Sequence, residues 1–417
     1  MNTATSTPAI LAIAGLSTLG VILRPWQLPE AIWALAGALL LVCLGLLTPA
    51  AAWHGVMRGQ DVYLFLIGMM ALAEIARKEG LFDWLAQFAT AHAKGSASRL
   101  FALVYAVGIV VTVFLSNDVT AVVLTPAVYA AAKAARAQPM PYLLICAFIA
   151  NAASFVLPIS NPANLVVYAA GMPPLLTWLA HFTLPSLAAI AATFVVLRWT
   201  QRATLRQPIA REVEAVALTA GGRLAGLGII ATAIALLVAS ALHADLGLPA
   251  CIAGILTVAL VLAFKREAPW PVLRDISWSV LALVAGLFVL IEALGQTNLL
   301  QMLADRLAMA AGQSVGLTAW GAGLAAGFGT NLVNNLPAGL VAGATVQHAA
   351  LPSSIAGALL IGIDLGPNLS VTGSLATILW LTALRREGLH VSALSFLKLG
   401  ILVMPPALVL AIAAFLL

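Results

Sequence analysis

The sequence is poor in charge and in cysteine, and both shortages exclude whole classes of protein. Only 8% of its 417 residues are Asp, Glu, Lys or Arg, whereas a soluble domain carries about 25%. The six histidines are scattered without metal-ligand spacing, and no phosphate-binding P-loop sequence is present. These absences argue against an enzyme, a metal centre and a bound cofactor, and the net charge of +5 shows no clustering that would suggest a nucleic-acid partner.

The three cysteines, Cys43, Cys146 and Cys251, lie singly in apolar segments, without a CxxC pair or a Cys/His cluster. We expect them to be small buried hydrophobic residues. A thiol ligand for a soft metalloid is the alternative that the sequence leaves open.

What the chain has in abundance is apolar sequence. Hydrophobic residues make up 62% of it, in recurring segments of roughly 20 residues, the length that crosses a bilayer. The longest polar connection covers residues 200–223, so no sizeable soluble domain is present. The sequence predicts an all-α polytopic membrane protein that sits in the lipid bilayer.

Two polar stretches interrupt apolar runs in the two halves of the chain. Ser116–Thr120 (SNDVT) interrupts the first half, and Thr330–Pro337 (TNLVNNLP) interrupts the second. The offset in residue number from Asn117 to Asn335 is identical to that from Gly68 to Gly286 and from Glu74 to Glu292. Such an internal duplication is typical of secondary transporters, whose repeats carry opposite topologies.

Two apolar segments are also broken, at Pro158–Asn164 and at Asp364–Thr372. We therefore predict two inverted repeats, residues 1–200 and 224–417, joined by a cytoplasmic linker at 201–223. The first repeat contains a re-entrant hairpin at 100–135 and a broken helix at 141–171. The second contains a hairpin at 314–349 and a broken helix at 352–384.

The distribution of basic residues supports hairpins that enter and leave on one side. With ten crossings and both termini outside, 18 of the 20 Lys and Arg residues fall on the cytoplasmic side, and only Arg58 and Arg306 fall outside. If the hairpin arms crossed instead, Lys133 and Arg136 would leave the side that holds Lys94 and Arg99. The charge bias predicts that both termini lie outside. The expected location is a bacterial-type inner (plasma) membrane, in which the termini would be periplasmic.

The four interruptions are expected to converge, because discontinuous helices direct unpaired backbone groups at the midplane. Their amides and hydroxyls can bind a polar solute, although each can also simply cap a break. The predicted substrate-binding residues are Ser116, Asn117, Thr120, Ser160, Asn161, Asn164, Asn334, Asn335, Asn368, Thr372 and Ser374.

Four carboxylates lie in apolar surroundings, and two of them are predicted to exchange protons. Glu74 and Glu292 lie near helix ends and are interpreted as scaffold residues. Asp118 and Asp364 lie within the predicted site, where desolvation favours the neutral acid and a change in wetting favours ionisation. No membrane-embedded Lys or Arg accompanies them, so a neutral or cationic solute fits better than a dicarboxylate.

The segments LSNDVTAVVLTPAV, PISNPANLVVY, TNLVNNLPAGLVAG and IGIDLGPNLSVTGSLATILWL resemble the ArsB-type arsenite permeases of the ion transporter superfamily. The resemblance covers nearly the whole chain. It implies efflux of trivalent arsenite and antimonite as neutral hydroxides, in exchange for protons, sometimes with a separate soluble ATPase as partner. It also leaves open a sodium/proton antiporter of the same superfamily, an anion or carboxylate permease, and a non-transporting scaffold or sensor.

A cysteine-free variant tests whether thiols take part. We expect replacement of Cys43, Cys146 and Cys251 by Ser or Ala to retain transport, because isolated thiols on separate helices cannot form a three-thiolate site, and such a site would release arsenite slowly. Uptake of arsenite into everted vesicles is the measurement. Loss of transport in a folded, well-expressed single variant would assign that thiol to the substrate.

Overall fold

The computed structural model describes residues 3–169, 171–211 and 217–417, apart from a few side chains near the N-terminus. The predicted linker is therefore described except for residues 212–216. The described residues are helical or irregular, with one isolated bridge between Ser96 and Pro208 and no strand. This confirms the all-α class.

The helices divide between the two halves of the chain. Those of the first half are α1 (Thr3–Leu23), α2 (Glu30–Cys43), α3 (Pro49–Arg58), α4 (Gln60–Lys78), α5 (Leu81–His92), α6 (Ala97–Phe114), α7 (Asn117–Val119), α8 (Thr125–Ala134), α9 (Met140–Ala152), α10 (Pro162–Val167) and α11 (Leu175–Thr200). Those of the second half are α12 (Ala220–Ala241), α13 (Gly247–Lys265), α14 (Trp270–Asp275), α15 (Trp278–Gly295), α16 (Asn298–Gln313), α17 (Val315–Val333), α18 (Asn335–Ala349), α19 (Ser353–Leu365), α20 (Leu375–Arg386) and α21 (Ala393–Phe415).

Six of the described helices, namely α6, α11, α12, α13, α15 and α21, are long and apolar enough to cross a bilayer. The bent pair formed by α3 and α4 adds a seventh. In the predicted topology α6 is an arm of a re-entrant hairpin and does not cross, so six of these spans remain. The prediction of ten crossings also needs the shorter α1 and α2 and the two broken helices to cross, and it stays a prediction.

Glycines at equivalent positions bring the two halves into close contact. A Cβ atom at Gly68 of α4 would lie 2.1 Å from the carbonyl oxygen of Ala250 on α13. A Cβ atom at Gly286 of α15 would lie 2.8 Å from the carbonyl carbon of Ala34 on α2. Close backbone approach through small residues is the usual packing of helices in membranes. Each half thus docks one glycine-bearing helix against the other half.

The linker contacts both ends of the helical pair that forms hairpin 1 (α6 to α8). The Ile209 amide donates to the Gly95 carbonyl at 3.4 Å, just before α6, and the Ala210 amide donates to the Ala135 carbonyl at 2.8 Å, just after α8. The first arm of the hairpin therefore begins, and the second arm ends, beside the same segment, as a re-entrant hairpin requires. We call this face of the molecule the linker side.

Ion pairs near the C-terminal end of α4 connect it to the second half on the linker side. Arg77 pairs with Glu74 on its own helix and with Asp275 at 3.1 Å. Lys78 lies 2.6 Å from Glu267, and hydrogen bonds from Lys78 and Lys265 hold the pKa of the Glu267 carboxyl below its usual range. Glu74 thus has a structural partner, in line with its interpretation as a scaffold residue.

An equivalent pair lies at the far end of α15. Glu292 accepts from Arg58 at 3.3 Å, and Arg58 also donates to Gln347 at 3.4 Å, near the end of α18. The second arm of hairpin 2 (α17 and α18) therefore ends beside Arg58, one of the two basic residues that the charge bias placed outside.

Three details differ from the sequence-based expectations. Cys43 is exposed at the end of α2, because it lies on the outward face beside exposed Leu39 and Leu44. Asp364 belongs to the last turn of α19 and not to the following break. The first segment of the first broken helix ends at Ala152, before the break that the sequence predicts at Pro158.

Single-cysteine labelling tests the placement of the linker side. In a cysteine-free background we expect Thr204→Cys and Arg385→Cys to react from the cytoplasm, and Gln313→Cys, after α16, to react from outside, because the charge bias assigns those sides. The measurement is labelling by a membrane-impermeant maleimide in intact cells and in everted vesicles. Reaction of Thr204→Cys in intact cells would contradict the predicted topology.

Candidate functional site

Each of the four interruptions restarts its helix with a polar side chain at the N-cap. The side chains of Ser116, Asn161, Asn334 and Ser374 accept backbone N–H groups of Val119, Ala163, Leu336 and Ala376, at 3.0 to 3.4 Å. Such caps satisfy donors that the first turn of a helix leaves unpaired. All four capping residues were predicted site residues. Their local role is to cap the first turn of the helix that follows each break.

The first hairpin restarts through an unusual turn. Beyond α7 the chain continues as a π-helix over Thr120–Leu124 before α8 begins. A π-bulge is rare and occurs often at functional sites. The second hairpin instead places Asn334 at a φ of 73°, a backbone conformation that Asn tolerates better than most residues.

Asp364 links the two broken helices. Its two carboxylate oxygens accept the Ser154 hydroxyl at 2.7 Å and the Asn161 amide at 2.8 Å, and all three residues are fully buried. A carboxylate near a helix C-terminus is opposed by the helix dipole, so these two donors supply the stabilisation that its position lacks. Asp364 therefore holds the two halves together at the breaks.

A second cross-link lies beside it. Asn151 donates to the amide oxygen of Asn368 at 3.0 Å, and Asn368 donates to the Phe148 carbonyl at 3.0 Å. Both polar atoms of Asn368 are thus bonded within the protein. These bonds give Asn368 a structural role, and its role in substrate binding stays a prediction.

Each hairpin is fastened to the broken helix of its own half through a hydroxyl. Ser160 donates to the Val113 carbonyl at 3.0 Å, and Thr372 donates to the Asn331 carbonyl at 2.9 Å. Val113 and Asn331 share the offset that relates the two hairpin tips, so they occupy equivalent places before those tips. Together with the Asp364 contacts, these bonds join all four interruptions in one network.

Further hydrogen bonds stabilise the tips of the two hairpins. In hairpin 1 the hydroxyls of Thr112 and Thr120 lie 2.8 Å apart, so Thr120 ties one arm to the other. In hairpin 2 the Asn335 amide N–H donates to the Gly373 carbonyl at 2.9 Å. Asn334 donates more weakly, at 3.4 Å, to the Thr372 carbonyl.

Several buried oxygens in this region have no hydrogen-bond partner. The side chain of Asn164 donates to three carbonyls, of Ser154, Leu157 and Pro158, yet its own oxygen accepts nothing. The side-chain oxygens of Asn151, Asn335 and Thr377 also have no hydrogen-bond partner. Unpaired buried acceptors are costly unless a ligand or water supplies donors. This arrangement suits a solute that carries hydroxyl donors, or a cation.

Asp118 differs from Asp364 in both exposure and partners. It is half-buried, and within the described structure no hydrogen bond reaches its carboxylate, while its backbone amide donates to the Asn117 side chain at 2.9 Å. It lies in the first turn after the tip, where the helix dipole favours negative charge. Asp118 is therefore free to change its protonation without breaking the network.

A cleft of about 240 Å³ follows the same arm of hairpin 1 towards the linker side. Val122 and Pro126, one and two turns beyond Asp118, form one wall, and α20 forms the other with Leu379 and Thr382. Arg386 and Glu387 lie at the end of α20 that this cleft reaches. The cleft thus leads from charged residues at a helix end towards the turn that carries Asp118.

The sequence analysis missed Asn151, Ser154, Asn331 and Thr377 as members of the site. Asn151 could have been predicted from the sequence, because burying an amide side chain in an otherwise apolar membrane helix costs free energy. It also occupies the same next-to-last position in α9 that Asp364 occupies in α19. Ser154 could not have been predicted in this way, since a small hydroxyl is common in membrane helices. Among the described residues, no cluster of three or more His, Cys, Asp or Glu side chains could hold a metal ion.

Apolar helices whose broken ends meet at buried polar groups define a membrane transporter. The fold is similar to that of the YdaH transporter of Alcanivorax borkumensis, with a TM-score of 0.56 over 88% of this chain and 86% of that one, at 15% identity. The model of the citrate transporter family matches residues 18–366, most of the chain. The protein is an integral membrane protein and belongs to the citrate transporter family.

Similar proteins bear more specific names. The arsenical pump membrane protein of Escherichia coli K12 is 26% identical over 97% of this chain and 98% of its own length. That of Yersinia enterocolitica is 27% identical over 84% of both chains. An uncharacterised transporter of Mycobacterium tuberculosis H37Rv is 25% identical over 91% of both.

Alanine substitutions at Asp364 and Asp118 should have different effects on the stability of the protein. Asp364→Ala leaves the buried Ser154 hydroxyl and Asn161 amide without an acceptor, at about 1–3 kcal/mol for each unpaired group. We expect its thermal unfolding midpoint in detergent to fall clearly. Asp118→Ala breaks no side-chain hydrogen bond and should unfold near the unsubstituted protein, which makes it the matched control. Equal midpoints for the two variants would contradict the structural role of Asp364.

Proposed function

We propose that the protein exports trivalent arsenite and antimonite, as neutral hydroxides, in exchange for protons. The observation that carries the proposal is the group of unpaired oxygens on Asn151, Asn164, Asn335 and Thr377 around a network without fixed positive charge. The names of the similar arsenical pump proteins support the same solute. A soluble ATPase partner is compatible with this proposal but is not needed by it.

The chemistry of the solute matches these acceptors. As(OH)₃ is uncharged near neutral pH and carries three hydroxyl donors, so it can satisfy buried amide oxygens without a counter-ion. Citrate would bring several negative charges, which need charge-assisted donors such as Lys or Arg. Among the described residues, neither type takes part in the network that joins the four interruptions.

Proton exchange is assigned to Asp118, with Asp364 assisting. The carboxylate of Asp118 has no hydrogen-bonding partner in the described structure, and the linker-side cleft approaches its turn. A carboxylate in dry surroundings takes up a proton, and wetting or contact with substrate hydroxyls favours its release. Asp364 is already bound by two donors, so its protonation requires rearrangement across both halves.

The architecture needed for this exchange is two inverted repeats, with boundaries near residues 200 and 224, ten crossings and two re-entrant hairpins. The equivalent glycine contacts of Gly68 and Gly286 and the equivalent hydroxyl bonds of Ser160 and Thr372 support the duplication. Alternating access would then move the hairpins and broken helices relative to the remaining helices. The matching location is a bacterial-type inner membrane with periplasmic termini.

A sodium/proton antiporter is the second candidate, because the same unpaired oxygens are suitable ligands for a cation. Arsenite uptake into everted vesicles, energised by a pH gradient with and without a sodium gradient, separates the two. Proton-driven arsenite accumulation without sodium supports the arsenite exporter. Sodium-driven proton movement without arsenite uptake supports the antiporter.

Asp118→Asn tests the coupling, since it preserves the shape and removes the titratable proton. We expect it to abolish accumulation of arsenite against its gradient in everted vesicles while sparing slow downhill exchange. The effect of Asp364→Asn on the pH dependence should be milder, although the lost acceptor also lowers stability.

The control is Thr382→Ser, which lies in the wall of the same cleft and retains its hydroxyl. It should accumulate arsenite normally, which shows that a conservative change near Asp118 is tolerated. Uphill transport by Asp118→Asn with an unaltered pH profile would remove Asp118 from the coupling and make Asp364 or Glu292 the next group to test.

A further inference from the structure

A large apolar groove lies away from the network, between the first half of the chain and hairpin 2. Its volume is about 770 Å³. Its walls are α1 on one side, α16 on the second, and α17, α18 and α19 on the third. We propose that this groove binds one membrane phospholipid, with an acyl chain in the groove and the phosphate at Arg306.

The hydroxyl groups that line the groove already have hydrogen-bond partners within the protein. The hydroxyl of Thr18 donates to the Ala14 carbonyl, that of Thr330 to Gly327, and that of Thr345 to Val341, at 2.7 to 3.1 Å. These lining groups are therefore already paired within their own helices. Apart from Arg306, what remains for an occupant to contact is hydrocarbon, which disfavours small polar solutes such as arsenite and simple cations.

The floor of the groove is open at two glycines. A Cβ atom added at Gly15 of α1 or at Gly329 of α17 would have no neighbouring atom within 4 Å. Small residues, Ala322, Ala326 and Ala338, continue this floor. The protein itself leaves this space unfilled, although membrane helices normally pack closely through such residues.

The length of the groove matches one leaflet. Its lining on α17 runs from Ala322 to Val333, which at 1.5 Å per residue is about 17 Å. Half of the hydrocarbon core of a bilayer is about 15 Å thick. The groove therefore extends over the depth that an acyl chain covers, from a headgroup region to the tip of hairpin 2.

An exposed arginine lines the groove, and we assign the phosphate to it. Arg306 of α16 lines the groove together with Leu299, Leu303 and Leu307, and it makes no ion pair or hydrogen bond within the described structure. The neighbouring Asp305 accepts from Gln301 and does not line the groove. An unpaired guanidinium at the rim of an apolar groove is complementary to a lipid phosphate.

A helix from a second copy fits less well. A helix about 10 Å across and 17 Å long fills about 1,300 Å³, well above the 770 Å³ of the groove.

The test uses purified full-length protein reconstituted in phosphatidylcholine vesicles that contain a trace of nitroxide-labelled phosphatidylglycerol or phosphatidylcholine. Electron paramagnetic resonance measures the motionally restricted fraction of each probe. At Gly329 a Cβ atom has no neighbour within 4 Å, so we expect the side chain of Gly329→Leu to extend into the groove and to reduce restriction of both probes. Gly321→Leu, on the same helix and equally open but outside the groove, is its control and should change neither.

Arg306→Gln tests the headgroup contact. It should weaken retention of labelled phosphatidylglycerol about fivefold, since one basic residue contributes about 1 kcal/mol to binding of an anionic lipid. Arg274→Gln, an exposed arginine at the end of α14, is the control and should have no effect.

Unchanged restriction in both Gly329→Leu and Arg306→Gln would overturn the proposal. Loss with Gly329→Leu alone would overturn the phosphate assignment. A change from dimer to monomer on filling the groove, with lipid restriction unaltered, would assign the groove to a second copy of the chain and equally overturn it. None of these outcomes depends on which solute the protein transports.

Discussion

The structure depends on one constraint, namely that a helix interrupted inside a bilayer must find partners for its polar groups within the protein. Each unsatisfied group in hydrocarbon costs several kcal/mol, and this chain interrupts its helices four times. The interruptions satisfy one another. N-cap side chains close the first turns, Ser160 and Thr372 fasten each hairpin to a broken helix, and Asp364 joins the two broken helices. The polar groups that interrupt the helices are thus also the groups that hold the two halves together.

The two halves repeat their framework but not their carboxylates. Gly68 and Gly286 dock equivalent helices in equivalent ways, yet the same offset in residue number makes Leu336 the counterpart of Asp118. Asp364 similarly corresponds to Asn151 by its position at the end of its helix. The proposed exchange of protons for a neutral solute would use this difference, because only the tip of hairpin 1 carries a carboxylate. The two carboxylates also differ in their partners, since Asp364 accepts two hydrogen bonds and Asp118 accepts none in the described structure.

Membership of the citrate transporter family describes the framework, whereas the choice of solute follows from a few side chains. A tricarboxylate and a neutral hydroxide make opposite demands, because the first needs donors and positive charge and the second can be held by neutral oxygens. The network here offers unpaired acceptors on amide side chains. The likeness to arsenical pump membrane proteins and this chemistry therefore agree with each other.

The sequence by itself determined the membrane class and the two polar interruptions at equivalent places in the two halves, and it left both capping and substrate binding open for the polar residues at the breaks. The first two features depend on hydrophobicity along the chain, which can be inferred without a structure. Only the tertiary structure decided which groups meet over long separations. Asn151 bonds to Asn368 and Asp364 to Ser154 across about half of the chain, and Cys43 faces outwards on a helix whose apolar surroundings suggested burial. When a helix is apolar on every face, packing between helices decides which of its residues face the protein and which face outwards. A single sequence carries little signal for that packing.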